Sequence, residues 1–191
     1  DELLKSDLPD DPFLLDEIVQ YFPSDLRVKY LAEMKTHRLR REIIATRVTN
    51  SMVNRVGDTF VTEFMEKTGR APAEIARAYT IAREVLRARS IWAEIEALDN
   101  KVPTRAQTSM LADLNRLLEW VTLWFLRSGK AGLDIGSHVG ELAAGMAVLA
   151  DHISSVVPKH YVDDMKARAK PYLDDGVPPA LAHKIAPLVN L

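Results

Sequence analysis

The chain has 191 residues, 47% hydrophobic and 27% charged, enough for one globular domain with a proper core. It contains no cysteine, which excludes a disulfide framework, a thiolate metal site and a cysteine nucleophile and fits a cytoplasmic setting. The net charge of -2 makes no general case for nucleic acid, and the longest apolar run, 142–150, falls far short of the roughly 20 residues that cross a bilayer. No signal-peptide pattern or initiating methionine precedes Asp1, so a processed chain or an excised domain is expected.

Helical periodicity dominates from end to end. Asp11 before Pro12 reads as an N-cap and first helical position, opening a helix that Pro23 stops. A second short helix is expected over 25–36, then a long one from 39 to about 67, bent at Gly57-Asp58 and closed by Gly69. Pro72 restarts the pattern, which runs to about 98 with a break at Arg89-Ser90. Residues 99–103 form a turn. Thr104 to Gln107 has capping-box spacing and opens a helix striped by Met110, Leu114, Leu117, Val121, Trp124 and Phe125. Trp120 and Trp124, four apart, read as core aromatics along one side rather than as a cofactor box. Two further helices are expected over 139–156 and 159–173, with a last short one after Gly176, Pro178 and Pro179. The expected fold is all-α: a compact bundle of seven or eight helices forming a single helical domain over 1–191, with a long buried central helix.

That central helix poses the main question. Thr46, Asn50, Asn54 and Gly57 share an arc with Leu39, Ile43, Val53 and Val61, while Ile44, Val48, Met52, Val56 and Phe60 occupy the other side. Only Arg40, Arg47, Ser51 and Arg55 remain as a polar strip, so the helix is apolar nearly all round. Its amides then need partners, or each costs about 1 to 3 kcal/mol. Buried hydrogen bonds that fix helix register are the favoured reading over a ligand site, because no titratable group shares the arc.

Chemical motifs are missing. No two glycines stand two apart, so the dinucleotide-binding pattern is absent. The stretch 128–132, SGKAG, lacks the spacing and the hydroxyl of a phosphate loop and reads as a helix connection. Glu33 and His37 are four apart and His138 precedes Glu141, so the Glu-x-x-His pairs of a di-iron bundle are not met. The histidines at 37, 138, 152, 160 and 183 form no ligand pair, and Ser137 beside His138 makes no triad.

Charge is segregated near the N-terminus. Residues 1–25 carry eight acidic side chains against Lys5 alone, and 35–55 carry Lys35, Arg38, Arg40, Arg41, Arg47 and Arg55 against Glu42 alone. A basic helix could lie on phosphates. The favoured reading is that the acidic arm folds back onto it or that both strips are solvated, because no exposed aromatics interleave with the arginines.

The stretches LPDDPFLLDEIVQYFPSDLRVKY, LRREIIATRVTNSMVNRVGDTFV, ARAYTIAREVL, WAEIEALDNKVP, RLLEWVTLWFLR and GVPPALAHKIAPL resemble, in order, the C-terminal helical region of the very large bacterial NAD-specific glutamate dehydrogenases. The resemblance implies a parent enzyme that oxidatively deaminates L-glutamate to 2-oxoglutarate and ammonia with NAD. Its catalytic lysine and Rossmann-type cofactor fold would lie upstream. It implies no catalytic, cofactor or metal residue in this chain. The matching positions Arg41, Glu42, Thr46, Asn50, Asn54, Arg55 and Gly57, and Asp99, Asn100 and Lys101, are expected to be structural. Asp99 and Asn100 would cap a helix end, and Gly57 would permit close packing or a bend. Arg38, where the family often has proline, and the basic link from Arg87 to Arg89 depart from the pattern.

Two functions from different classes follow. One is a helical structural or regulatory module that packs on the remainder of the parent dehydrogenase chain and its homo-oligomer. The other is a free-standing module that binds protein or nucleic acid. The closing apolar cluster of Leu188, Val189 and Leu191 is expected to be an exposed patch that drives self-association.

Overall fold

The computed structural model describes residues 1–128 and 132–187. Their regular structure is helical, with no strand among the described residues: α1 Glu2–Lys5, α2 Leu15–Tyr21, α3 Ser24–Arg27, α4 Leu31–Lys35, α5 Arg40–Val56 and α6 Phe60–Thr68. There follow α7 Pro72–Val85, α8 Ala88–Glu96, α9 Thr104–Ser128, α10 Ile135–Val156, α11 Lys159–Asp174 and α12 Pro179–Ile185. Two 3-10 turns, Leu8–Asp10 and Pro12–Leu14, lie between α1 and α2. The all-α expectation holds, with nine described helices of seven residues or more rather than seven or eight. Leu188, Val189 and Leu191, and residues 129–131 of the SGKAG connection, lie outside the described residues.

Proline and glycine set most boundaries. The Asp11 carboxylate accepts the Phe13 N–H at 3.0 Å, which caps the turn into α2. The expected helix over 25–36 is two pieces, α3 and α4. The expected bend at Gly57 is a full break. Gly57 has φ 101 and ψ 164, a conformation suited to glycine, and a Cβ there would meet nothing within 4 Å. Gly57 therefore ends α5 and serves no close packing. Gly69, with φ 68, closes α6 in the left-handed C-cap geometry. The break between α7 and α8 falls at Arg87, φ 51, rather than at Arg89-Ser90. An arginine in the left-handed region carries no sequence signal comparable to glycine. At the start of α9 the Gln107 amide donates to the Ile95 carbonyl at 3.0 Å, so it tethers the end of α8 instead of closing a capping box.

The chain divides into two units, residues 1–81 with 122–138, and residues 82–121 with 139–191. In the first unit, α5 packs against α1, the 8–10 turn, α2 and α6. Its core includes Leu8, Leu14, Ile18, Ile44, Val48 and Ile75. Phe60 lies 4.3 Å from Phe64 and 6.0 Å from Tyr79, ring centre to ring centre. The second unit is built on Ile95, Met110, Leu114, Leu118 and Ile185, with α12 against α11 and α8.

Two burial expectations are overturned. Thr46, Asn50, Asn54 and Gly57 are all exposed, and Leu39 and Val53 on the same arc are 50% and 44% exposed. Only Ile44, Ala45, Val48 and Met52 of α5 are buried, so it is a one-sided amphipathic helix and not a buried central one. The break at Gly57 also assigns Phe60 and Val61 to α6, which removes them from the α5 wheel. The second correction concerns Trp120 and Trp124, which are 47% and 58% exposed. They sit on the flank of the α9 stripe, where Met110, Leu114, Leu117 and Leu118 fill the core. Trp92 is the buried tryptophan, and its indole N–H donates to the Asn115 side-chain oxygen at 3.2 Å.

Candidate functional site

The densest polar constellation of the first unit joins the acidic arm to the basic helix. An arginine beside an apolar core is stable there only if each charge meets a partner. Arg41 donates to the carbonyls of Leu4 at 2.8 Å and Ser6 at 3.1 Å, and pairs with Asp10. Arg40 reaches Asp10 at 3.2 Å, and Arg47 reaches the buried Glu17 at 3.1 Å. From α7, Arg77 bridges Asp11 at 2.7 Å and Asp7 at 2.9 Å. Hydrogen bonding and charge from Arg77 hold the Asp7 carboxyl below the usual aspartate range. The expectation that the acidic arm folds back is what the structure shows. Of the arginines that a phosphate backbone would need, Arg40, Arg41 and Arg47 are engaged within the chain.

Nearby, the Tyr79 hydroxyl donates to the Ser51 carbonyl at 3.0 Å and lies 2.9 Å from the Ser51 hydroxyl, which ties α7 to α5. Arg77 and Tyr79 were not among the residues singled out by pattern. The available signal was a lone arginine in IARAYTIA, where Ile75, Ala76, Ala78, Tyr79, Ile81 and Ala82 are all fully buried. A charge inside such a repeat needs a carboxylate.

In the second unit a cleft of about 250 Å³ is lined by Ser109, Asp113, Arg168, Pro171, Tyr172 and Ala186. Tyr172 donates to Asp113 at 3.1 Å. Its single proton is thereby committed, so the Ser109 hydroxyl at 3.0 Å donates to it. Burial, with Asp113 adding to it against the Ser109 hydrogen bond, raises the Tyr172 pKa above its ordinary value. A phenol held protonated in this way is no general base near neutrality. The triad clamps α11 to α9, and Arg105 with Asp175 and Lys184 with Glu94 add peripheral ion pairs.

The family-pattern positions are not gathered into one place. Arg41 is in the ion-pair cluster and Arg55 is half-buried, while Glu42, Thr46, Asn50 and Asn54 lie on exposed surface. Asp99, Asn100 and Lys101 form the turn after α8. Asn100 takes φ 60, a left-handed conformation that asparagine tolerates, and its amide donates to Asp99 at 3.2 Å. The Lys101 N–H bonds the Leu98 carbonyl at 2.8 Å. Among the described residues no group of three His, Asp or Glu side chains is placed to hold a metal ion. No described helix is long and apolar enough to cross a membrane. The glycine-rich strand-to-helix turn of the Rossmann dinucleotide site is not found among the described residues.

Residues 1–191 match in full the family described as Glutamate dehydrogenase, C-terminal. The chain is 41% identical over 185 residues to an NAD-specific glutamate dehydrogenase of Halomonas elongata, covering 97% of this chain and 11% of that protein. It is 37% identical over 186 residues to the enzyme of the same description from Pseudomonas aeruginosa, covering 97% and 12%. For the one from Mycobacterium tuberculosis the figures are 26% over 186 residues, 97% and 11%. The chain thus spans only 11 to 12% of the length of these curated relatives.

Proposed function

Because this chain belongs to the C-terminal family of glutamate dehydrogenase, we propose that it is a helical structural or regulatory module of an NAD-dependent glutamate dehydrogenase. The parent would convert L-glutamate, NAD and water to 2-oxoglutarate, ammonia and NADH in the cytoplasm, with the cofactor and the reacting atoms held elsewhere in the polypeptide. The module itself packs on and orients the remainder of that chain. Its family-pattern residues are structural: Arg41 clasps the N-terminal arm, Gly57 ends α5, and Asn100 turns the chain between α8 and α9.

One observation carries this reading. The match runs over all 191 residues of a chain that covers only 11 to 12% of the length of the curated dehydrogenases it resembles. The alternative of a free-standing nucleic-acid module loses its support where Arg40, Arg41, Arg47 and Arg77 pair with carboxylates inside the chain.

The purified chain mixed with NAD and glutamate should give no reduced-cofactor absorbance and no heat of NAD binding in calorimetry. The encoding reading frame should run several times the length of this segment. Saturable NAD binding at micromolar strength would overturn the proposal.

A further inference from the structure

Helix α10 is the most apolar of the long helices. Past His138 none of its described side chains is buried. Among the described side chains the exposed positions recur as 140 and 141, 144 and 145, 148 and 149, then 152, 155 and 156, which places them on one face. Val148, Leu149 and Val156 are 61%, 41% and 67% exposed, and a Cβ built on Gly140 or Gly145 would meet nothing within 4 Å. An open face that exposes Val148, Leu149 and Val156 beside Glu141, His152 and Ser155 marks an interaction surface.

We propose that this face pairs antiparallel with the same face of a second copy of the chain, about a two-fold axis between Met146 and Ala147. In that register Glu141 meets the partner's His152, Ala144 meets the partner's Leu149 and Gly145 meets the partner's Val148. Symmetry repeats each pair. Every large side chain faces a small one, and the carboxylate of Glu141 faces an imidazole.

A slip of one turn in either direction loses the match. One slip sets Glu141 against Val148 and Ala144 against Gly145, which strips water from a carboxylate and leaves a void. The other sets Glu141 against Val156 and Val148 against Leu149, where large side chains hold the helices apart. This self-complementarity favours a second copy over another segment of a longer polypeptide as the occupant. The inference goes beyond the dehydrogenase reading and does not depend on it. A handful of residues on each side falls short of the roughly 20 to 30 of a standard interface, so the association is reversible and concentration-dependent.

Sedimentation equilibrium of the 191-residue chain should show the weight-average mass rising from 21.4 kDa towards twice that value with concentration. Leu149→Glu should abolish the rise while circular dichroism and the urea midpoint of a dilute sample stay unchanged. The chain has no cysteine, so an oxidised one-to-one mixture of Ala144→Cys and Leu149→Cys chains should yield the mixed disulfide in several-fold excess over either homodimer, read by intact mass. Three results overturn the proposal: a constant 21.4 kDa mass, a dimer that survives Leu149→Glu, or Ala144→Cys homodimers matching the mixed product. Absence of the mixed cross-link in the longer polypeptide that carries this segment would assign the face to another part of that polypeptide and also overturn it.

Discussion

Helices α5 and α10 reverse what their compositions suggest. α5 is rich in arginine and amides, yet its inner face is sealed, with Ile44 and Val48 at 0% exposure and Arg40, Arg41 and Arg47 meeting carboxylates or carbonyls of the N-terminal arm. α10 is far more apolar, and past His138 its described side chains are half-buried at best. Burial is decided by what packs on a helix, not by how apolar the helix is. A narrow stripe suffices when α1, α2 and α6 lie against it. A broad apolar surface stays open where none of the described residues covers it.

The largest break in this contrast should come from Arg77→Ala. Asp11 is 7% exposed at its side chain and would lose its cation, which costs about 3 to 5 kcal/mol for a buried charge left unpaired. Urea denaturation followed by circular dichroism measures it. Ile44→Ala should follow at about 2 to 4 kcal/mol through the cavity it leaves, whereas Leu149→Ala in a dilute sample should change the midpoint by less than about 0.5 kcal/mol. Equal losses for these two would erase the difference between the helices.

Tyr172→Phe removes the hydroxyl between Ser109 and Asp113 and should cost about 1 kcal/mol. Acid sharpens the account of the arm. Arg77 depresses the Asp7 pKa in the folded state, so the stability it contributes is present above the ordinary aspartate value of 3.8 and is lost as pH falls through the lowered one. Asp7→Asn should flatten that limb of the urea midpoint against pH. Because Asp7 is mostly exposed, the effect should be small. Smallest of all, Asn50→Leu and Asn54→Leu should each leave stability within about 0.5 kcal/mol, since neither amide is buried. A loss above 1 kcal/mol, a threshold set by the ordinary value of a buried hydrogen bond, would restore the interior role.

Much of the helical order was legible because Pro12, Pro23, Gly69, Pro72, Pro178 and Pro179 act locally. The Arg87 break was not, because its left-handed residue has a side chain common in helix interiors. The amides of α5 were misread for a different reason. A helical wheel tells which residues share a face, but the covering of that face comes from segments distant in sequence. The same holds for Trp120 and Trp124, whose spacing puts them on one side of α9 while their exposure depends on segments distant in sequence. Of the polar constellations, segregated charge foretold the arm lying on α5, whereas the Ser109, Asp113 and Tyr172 triad joins residues about sixty positions apart and had no local signature.

Hydrogen exchange on the 191-residue chain at two protein concentrations puts the contrast to its most direct test. The amides of 44–52 in α5 should be strongly protected to the same degree at both concentrations, because their cover is part of the same chain. Those of 140–156 in α10 should exchange far faster in the dilute sample and slow several-fold in the concentrated one. Protection of α10 equal to that of α5 at low concentration, with no change on concentrating, would contradict both the open face and its pairing.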